Sequence, residues 1–131
     1  MRRAASTRGL HGFAVVVLAV GAACASGCAP SCENEVLNGM PSPDGRNIAF
    51  VFRRRCGSQM STHVSVIDLH RTLKGEPGNV LAVAGEQAVK MIWRGPDRLE
   101  VSGFRPPVLL RDSKVDGVEI LFPGPDQDPA R

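Results

Sequence analysis

The chain has 131 residues, which leaves room for one domain and little else. Its formal net charge of +3 comes from the amino terminus, because Arg2, Arg3 and Arg8 lie in the first twelve residues, which contain no acid. From Cys28 onward, the remaining thirteen basic residues equal the thirteen acidic ones. A neutral domain lacks the basic face that phosphate backbones require, so the composition argues against a nucleic-acid partner.

Residues 1–27 have the order of a secretory signal peptide. Residues 1–12 are basic and polar, Phe13 to Ala23 is an unbroken apolar run, and the small residues Ala25-Ser26-Gly27 follow. A membrane-spanning helix needs about 20 apolar residues, and this run is shorter. The sequence therefore predicts export and removal of this segment.

Ala25-Ser26-Gly27-Cys28 resembles the lipobox of bacterial lipoproteins, in which small residues precede a cysteine that receives diacylglycerol before cleavage. The resemblance implies a lipid on Cys28, with Cys24 after Gly21-Ala22-Ala23 as the alternative. The expected location is the cell envelope. In a host with two membranes, Ala29 stands where inner-membrane lipoproteins carry aspartate, which implies the periplasmic face of the outer membrane.

Cysteine parity bears on the choice between these sites. Cleavage before Cys28 discards Cys24 and leaves Cys32 and Cys56 as one pair. Cleavage before Cys24 leaves an odd thiol in an oxidising compartment. Ordinary signal cleavage after Ala25 is a third alternative and gives a soluble product, again with three cysteines. Parity favours lipidation of Cys28 and a disulfide between Cys32 and Cys56.

Residues 28–40 are predicted to be a lipidated linker. Proline, asparagine and glycine disfavour a long helix or strand there, at Pro30, Asn34, Asn38 and Gly39.

A turn follows the linker at Ser42-Pro43-Asp44-Gly45. Pro43 presets φ for the first corner, Asp44 can accept a hydrogen bond from its own backbone, and Gly45 can take positive φ. Ser42 is predicted to be a turn residue, because it does not lie in a G-x-S-x-G elbow.

Residues 41–122 are predicted to form an antiparallel β domain, a small sheet or sandwich of six or seven short strands. Alternating apolar residues separated by Gly, Pro and Asp turns predict strands at Asn47–Arg53, His63–Leu69, Val80–Ala84, Ala88–Arg94, Arg98–Gly103, Val108–Leu110 and Val118–Phe122. Residues 123–131, with three prolines, are predicted to be a disordered tail.

Two families resemble parts of the mature chain. Ser42 to Phe50 and Trp93 to Leu99 resemble half-repeats of Tol-type β-propellers, which implies hairpin geometry over about 20 residues but no propeller. The order C-x-N, SPDG, VF-x-R-x-CG and VSI, from Cys32 to Ile67, resembles a family of small uncharacterised bacterial lipoproteins. That resemblance implies a shared β domain and the Cys32–Cys56 pairing, and brings no activity with it.

The candidate binding surface is the run Arg53-Arg54-Arg55, which suits carboxylate or phosphate partners; its alternative is an edge strand guarded by charge. Alternation places His63 on the face opposite Asp68 and His70, so these three are interpreted as solvated residues without a metal or catalytic role. Cys56 beside three arginines could be a reactive thiolate, but a disulfide with Cys32 is favoured. No cofactor motif is present.

These observations favour a non-catalytic envelope lipoprotein that contacts the membrane through its lipid and binds an envelope protein or the cell wall. The alternatives are a small exported enzyme or accessory subunit, which would use the arginine run with a carboxylate such as Asp44, and an immunity or inhibitor lipoprotein.

Overall fold

The computed structural model describes residues 31–124, so the predicted signal peptide, Cys24, Cys28 and residues 125–131 of the predicted disordered tail lie outside it. Within that range the chain forms nine strands and no helix. The strands are β1 (Cys32–Pro41), β2 (Asn47–Cys56), β3 (Gln59–Asp68), β4 (Leu81–Ala84), β5 (Lys90–Gly95), β6 (Arg98–Ser102), β7 (Val108–Arg111), β8 (Lys114–Val115) and β9 (Val118–Leu121). The prediction of a small, mostly β domain is confirmed.

The strands form two sheets. A five-stranded sheet has the order β1-β2-β3-β4-β7, and all its neighbours are antiparallel. A four-stranded sheet has the order β5-β6-β9-β8 and is mixed, because β6 and β9 run parallel. The antiparallel prediction therefore fails at this one pairing, which joins strands that are distant in sequence. The two-residue strand β8 was not predicted, since the sequence there indicates only a turn.

The core lies between the sheets. Alternate residues of β2, β3 and β4 face alternate residues of β5, β6 and β9, in a cluster formed by Ala49, Val51, Val64, Val66, Val80, Leu81, Val83, Met91, Leu99, Val101, Phe104, Val118 and Ile120. The prediction that Met91, Leu99 and Val101 face inward is confirmed. Removing these apolar side chains from water is the main favourable term that holds the sheets together.

Strand β1 corrects the prediction of an irregular linker, because its ten residues form one edge of the five-stranded sheet. An edge strand can contain both proline and glycine. Pro41 is the last residue of β1, and Gly39, one of the residues that argued against a strand, lies under the ring of Phe50, which an added Cβ would approach to 2.9 Å. The indole nitrogen of Trp93 donates to the carbonyl of Met40 at 2.8 Å and ties β1 to the other sheet.

The predicted turn between β1 and β2 is confirmed. Gly45 has a φ of 71°, which favours glycine. The buried Ser42 hydroxyl donates to Asp44 Oδ1 at 2.7 Å and accepts from the backbone N–H of Asn47 at 3.1 Å. The hydrogen bond from Ser42 is the largest of the effects that lower the pKa of the Asp44 carboxyl. Ser42 and Asp44 therefore serve the turn, as the sequence predicts for Ser42.

Candidate functional site

The three arginines of β2 do not form one surface. Alternation along the strand places Arg53 and Arg55 on one face and Arg54 on the other. The Arg53 guanidinium lies between two carboxylates, with Nη2 at 2.7 Å from Glu35 Oε2 and Nη1 hydrogen-bonded to Glu86 Oε1. These bonds, that of Glu35 first, raise the pKa of Arg53. Arg53 therefore links the edge strand to the loop that follows β4.

Arg54 fixes a long loop, residues 69–80, over the outer face of the five-stranded sheet. Its Nη1 donates to Asn34 Oδ1 at 2.8 Å and to the carbonyl of Gly75 at 2.7 Å. The Asn34 amide in turn donates to the carbonyl of Glu76 at 2.7 Å. Arg54 is therefore a structural residue, whose bonds hold the loop against β1 and β2.

Arg55 differs from its two neighbours, because its side chain is exposed and makes no hydrogen bond or ion pair within the range 31–124. It lines a shallow depression of about 190 Å³ together with Ser31, Glu33 and Gly57. Of the predicted arginine surface, this is the guanidinium left available to a ligand.

His63 is buried, with 6% of its surface exposed, so its interpretation as a solvated residue is wrong. The loop 69–80 covers it: the backbone N–H of Gly78 donates to His63 Nδ1 at 2.9 Å. The imidazole stacks on the Phe52 ring with centroids 5.4 Å apart. Its second nitrogen, Nε2, lies 2.7 Å from the Ser61 hydroxyl oxygen. Desolvation, followed by the charge of Arg54, lowers the pKa of His63 to about 4.

The Ser61–His63 pair has the spacing of a nucleophile with its general base, but its proton lies on the wrong nitrogen. Because Nδ1 accepts from the Gly78 N–H, it carries no proton, and a neutral imidazole must then hold its proton on Nε2. Nε2 therefore donates to Ser61, whereas a general base must accept from the serine hydroxyl. The pair holds a loop, and nothing in its geometry activates Ser61.

Sequence reasoning missed this pair, although one signal was present. Residues two apart on a strand share a face, so a strand that includes positions 61 and 63 brings Ser61 and His63 together.

His70 and Asp68 lie apart from His63, as predicted. The Asp68 carboxylate accepts from the backbone N–H of His70 at 2.8 Å, which is a local turn contact. In the part of the chain that the structure describes, no three His, Cys, Asp or Glu residues are grouped so that they could hold a metal ion.

Residues 31–124 contain no helix that is long and apolar enough to span a bilayer.

Both edges of the five-stranded sheet expose large apolar side chains. Val36 and Leu37 are about half exposed on β1, and Val108, Leu109 and Leu110 are exposed in succession on β7. Each edge strand has a register shift, and the extra residue is a leucine: Leu37 in β1 and Leu109, with 63% of its surface exposed, in β7. Bulges re-aim side chains at sheet edges, and here each presents an apolar side chain to solvent.

The predicted Cys32–Cys56 disulfide is present and joins the first residue of β1 to the last residue of β2. No family model, curated protein or solved structure matches the chain. Function is therefore inferred from the residues of this chain alone.

Proposed function

We propose that the chain is a lipid-anchored protein of the bacterial cell envelope whose β domain binds a partner protein and performs no catalysis. The anchoring part is supported by the basic, apolar and small-residue order of residues 1–27 that ends at Cys28. The location proposed for it is the periplasmic face of the outer membrane. The binding part is carried by one observation, the three consecutive exposed apolar residues of β7.

Strand β7 has the properties of a docking edge. Exposed apolar residues scattered singly need no explanation, whereas a contiguous group marks a contact surface. An edge strand also offers backbone N–H and C=O groups to an incoming chain. Val108, Leu109 and Leu110 carry no charge that would repel such a chain, whereas the β1 edge carries Glu33 and Glu35.

The enzyme alternative has little geometric support. Its proposed pair, Arg53 with Asp44, is separated by most of β2: Asn47 to Arg53 alone spans about 20 Å at 3.3 Å per residue. Asp44 is already bonded within its turn, and Arg53 lies between two carboxylates. Ser61 faces a histidine nitrogen that donates rather than accepts.

An affinity purification from solubilised membranes tests the binding role. The wild-type chain is compared with Leu109→Lys, which charges the β7 edge, and with Ile92→Lys, which charges an exposed residue of β5 on the other sheet. We expect one stoichiometric partner with the wild type and Ile92→Lys, and its loss with Leu109→Lys.

Two results would contradict this proposal. If Leu109→Lys retained the partner, the contact surface would lie elsewhere than β7. Turnover of an envelope substrate by the purified domain would support the enzyme alternative. If the partner is an envelope-attacking hydrolase, the protein belongs to the inhibitor class.

A further inference from the structure

The distance between the proposed anchor and the domain is short. Cys28 precedes Cys32 by four residues, and a chain of that length spans at most about 14 Å even when fully extended. Cys32 is the first residue of β1 and is bonded to Cys56 at the end of β2. A lipid on Cys28 therefore keeps this end of the five-stranded sheet, the disulfide end, close to the bilayer.

The disulfide preserves that distance. Strand β1 is an edge strand, and its first register pair is Cys32 opposite Cys56. A pull on the anchor would otherwise open the β1–β2 ladder from this pair, one residue after another, and lengthen the connection to the membrane. The covalent bond lies at the pair where such opening would begin.

The disulfide end carries one guanidinium without an internal partner in the described range. Arg53 is bonded to Glu35 and Glu86, whereas Arg55, adjacent to Cys56, is exposed and lines the depression beside Gly57. Glu33 lies directly opposite Arg55 in the β1–β2 register, yet no ion pair joins the two. A planar guanidinium with free donors suits the phosphate oxygens of a lipid headgroup.

We propose that the disulfide end of the five-stranded sheet lies on the bilayer surface, where Arg55 contacts headgroup phosphates. This rests on the proposed lipid at Cys28. Ten-residue strands extend about 33 Å from that surface, so the turn that contains Arg46, at the opposite end of β2, points away from the membrane.

The test uses the mature protein purified from its native membrane and reconstituted in vesicles of phosphatidylcholine and phosphatidylglycerol that carry a nitroxide on the headgroup. A bimane fluorophore is placed either on Ser58→Cys, in the turn after Cys56, or on Arg46→Cys at the opposite end. Both positions are exposed. We expect the nitroxide to quench bimane at position 58 several-fold more strongly than bimane at position 46.

Two further variants should change the quenching of bimane at position 58 in opposite directions. Arg55→Gln removes the phosphate contact and should lower the ratio of docked to undocked molecules about fivefold, the usual effect of one basic residue near an anionic surface. Glu33→Gln removes a carboxylate that would repel the headgroup phosphates, and should raise the quenching. Added salt should weaken the difference between wild type and Arg55→Gln.

The outcomes separate the two proposals. Protein that fails to float with the vesicles would refute the anchor and this inference with it. Protein that floats, but is quenched equally at positions 58 and 46, would refute the orientation and leave the anchor standing. Stronger quenching at position 58 that does not change in Arg55→Gln would refute the role of Arg55.

Discussion

Acid should destabilise the domain through His63. The imidazole is neutral in the folded protein because burial and Arg54 lower its pKa from 6.5 to about 4. A pKa shift of that size corresponds to a loss of about 3 kcal/mol in the free energy of unfolding when the pH falls through both pKa values. We expect a measured loss of about 2–3 kcal/mol, since partial hydration of the loop 69–80 would reduce the shift.

The direction follows from proton uptake. Below pH 6.5 the unfolded chain binds a proton at His63 that the folded chain binds only near pH 4. Stability from this group is therefore complete above pH 6.5, falls as the pH decreases towards 4, and changes little below that value. A protonated Nδ1 would also face the N–H of Gly78, so the loop should separate from the sheet as His63 becomes charged.

Urea unfolding of the oxidised mature chain between pH 7.5 and 3.5 measures this effect, with His63→Gln as the matched control. Glutamine can accept the Gly78 N–H but does not titrate. The lowered pKa values of Asp44 and Glu100 also make acid destabilising, and they are common to both proteins. Towards low pH, the free energy of unfolding of wild type should fall by about 2–3 kcal/mol relative to that of His63→Gln. Parallel curves would refute the assignment of a neutral His63.

Three further changes test the scaffold by thermal or urea unfolding. Gly45→Val should lower the free energy of unfolding by about 1 kcal/mol or more. The space around position 45 is open, so this cost comes from backbone strain at positive φ and not from a clash, and an unchanged melting curve would contradict the turn geometry. Joint replacement of Cys32 and Cys56 by serine should cost about 2–4 kcal/mol and loosen β1 first, whereas a loss spread evenly over amide exchange in both sheets would argue against that order. Gly78→Ala should cost about 2 kcal/mol or more, because its Cβ would lie 2.7 Å from the carbonyl oxygen of Val64, and a neutral result would show that the loop can move away without penalty.

The sequence was informative where structure is local. The Pro-Asp-Gly turn depends on residues within four positions of each other, and its geometry agrees with the prediction. The strands that contain Met91, Leu99 and Val101 alternate with period two, and these residues are buried as expected. The parallel pairing of β6 with β9 could not be predicted in this way, because it depends on the path of the chain from 103 to 117.

The errors at β1 and His63 have one physical origin. Asn34 is a poor strand residue in isolation, but here its amide bonds Arg54 and the carbonyl of Glu76. His63 is buried because Gly78 crosses over it from a loop with no regular pattern. Both depend on how the loop 69–80 docks, which local periodicity does not encode.

The resemblance to small bacterial lipoproteins stays a prediction. The Cys32–Cys56 bond that it implies is present in the structure. The predicted lipid and the predicted cellular location depend on residues outside the described range.

Mass spectrometry of the mature amino terminus, on protein purified from the native membrane, tests the central claim most directly. We expect an acylated peptide that begins at Cys28, and we expect Cys28→Ala to release the protein from membranes or stall its processing while Cys24→Ala does neither. An acylated peptide that begins at Cys24, or an unmodified one that begins at Ser26, would contradict the proposed anchor.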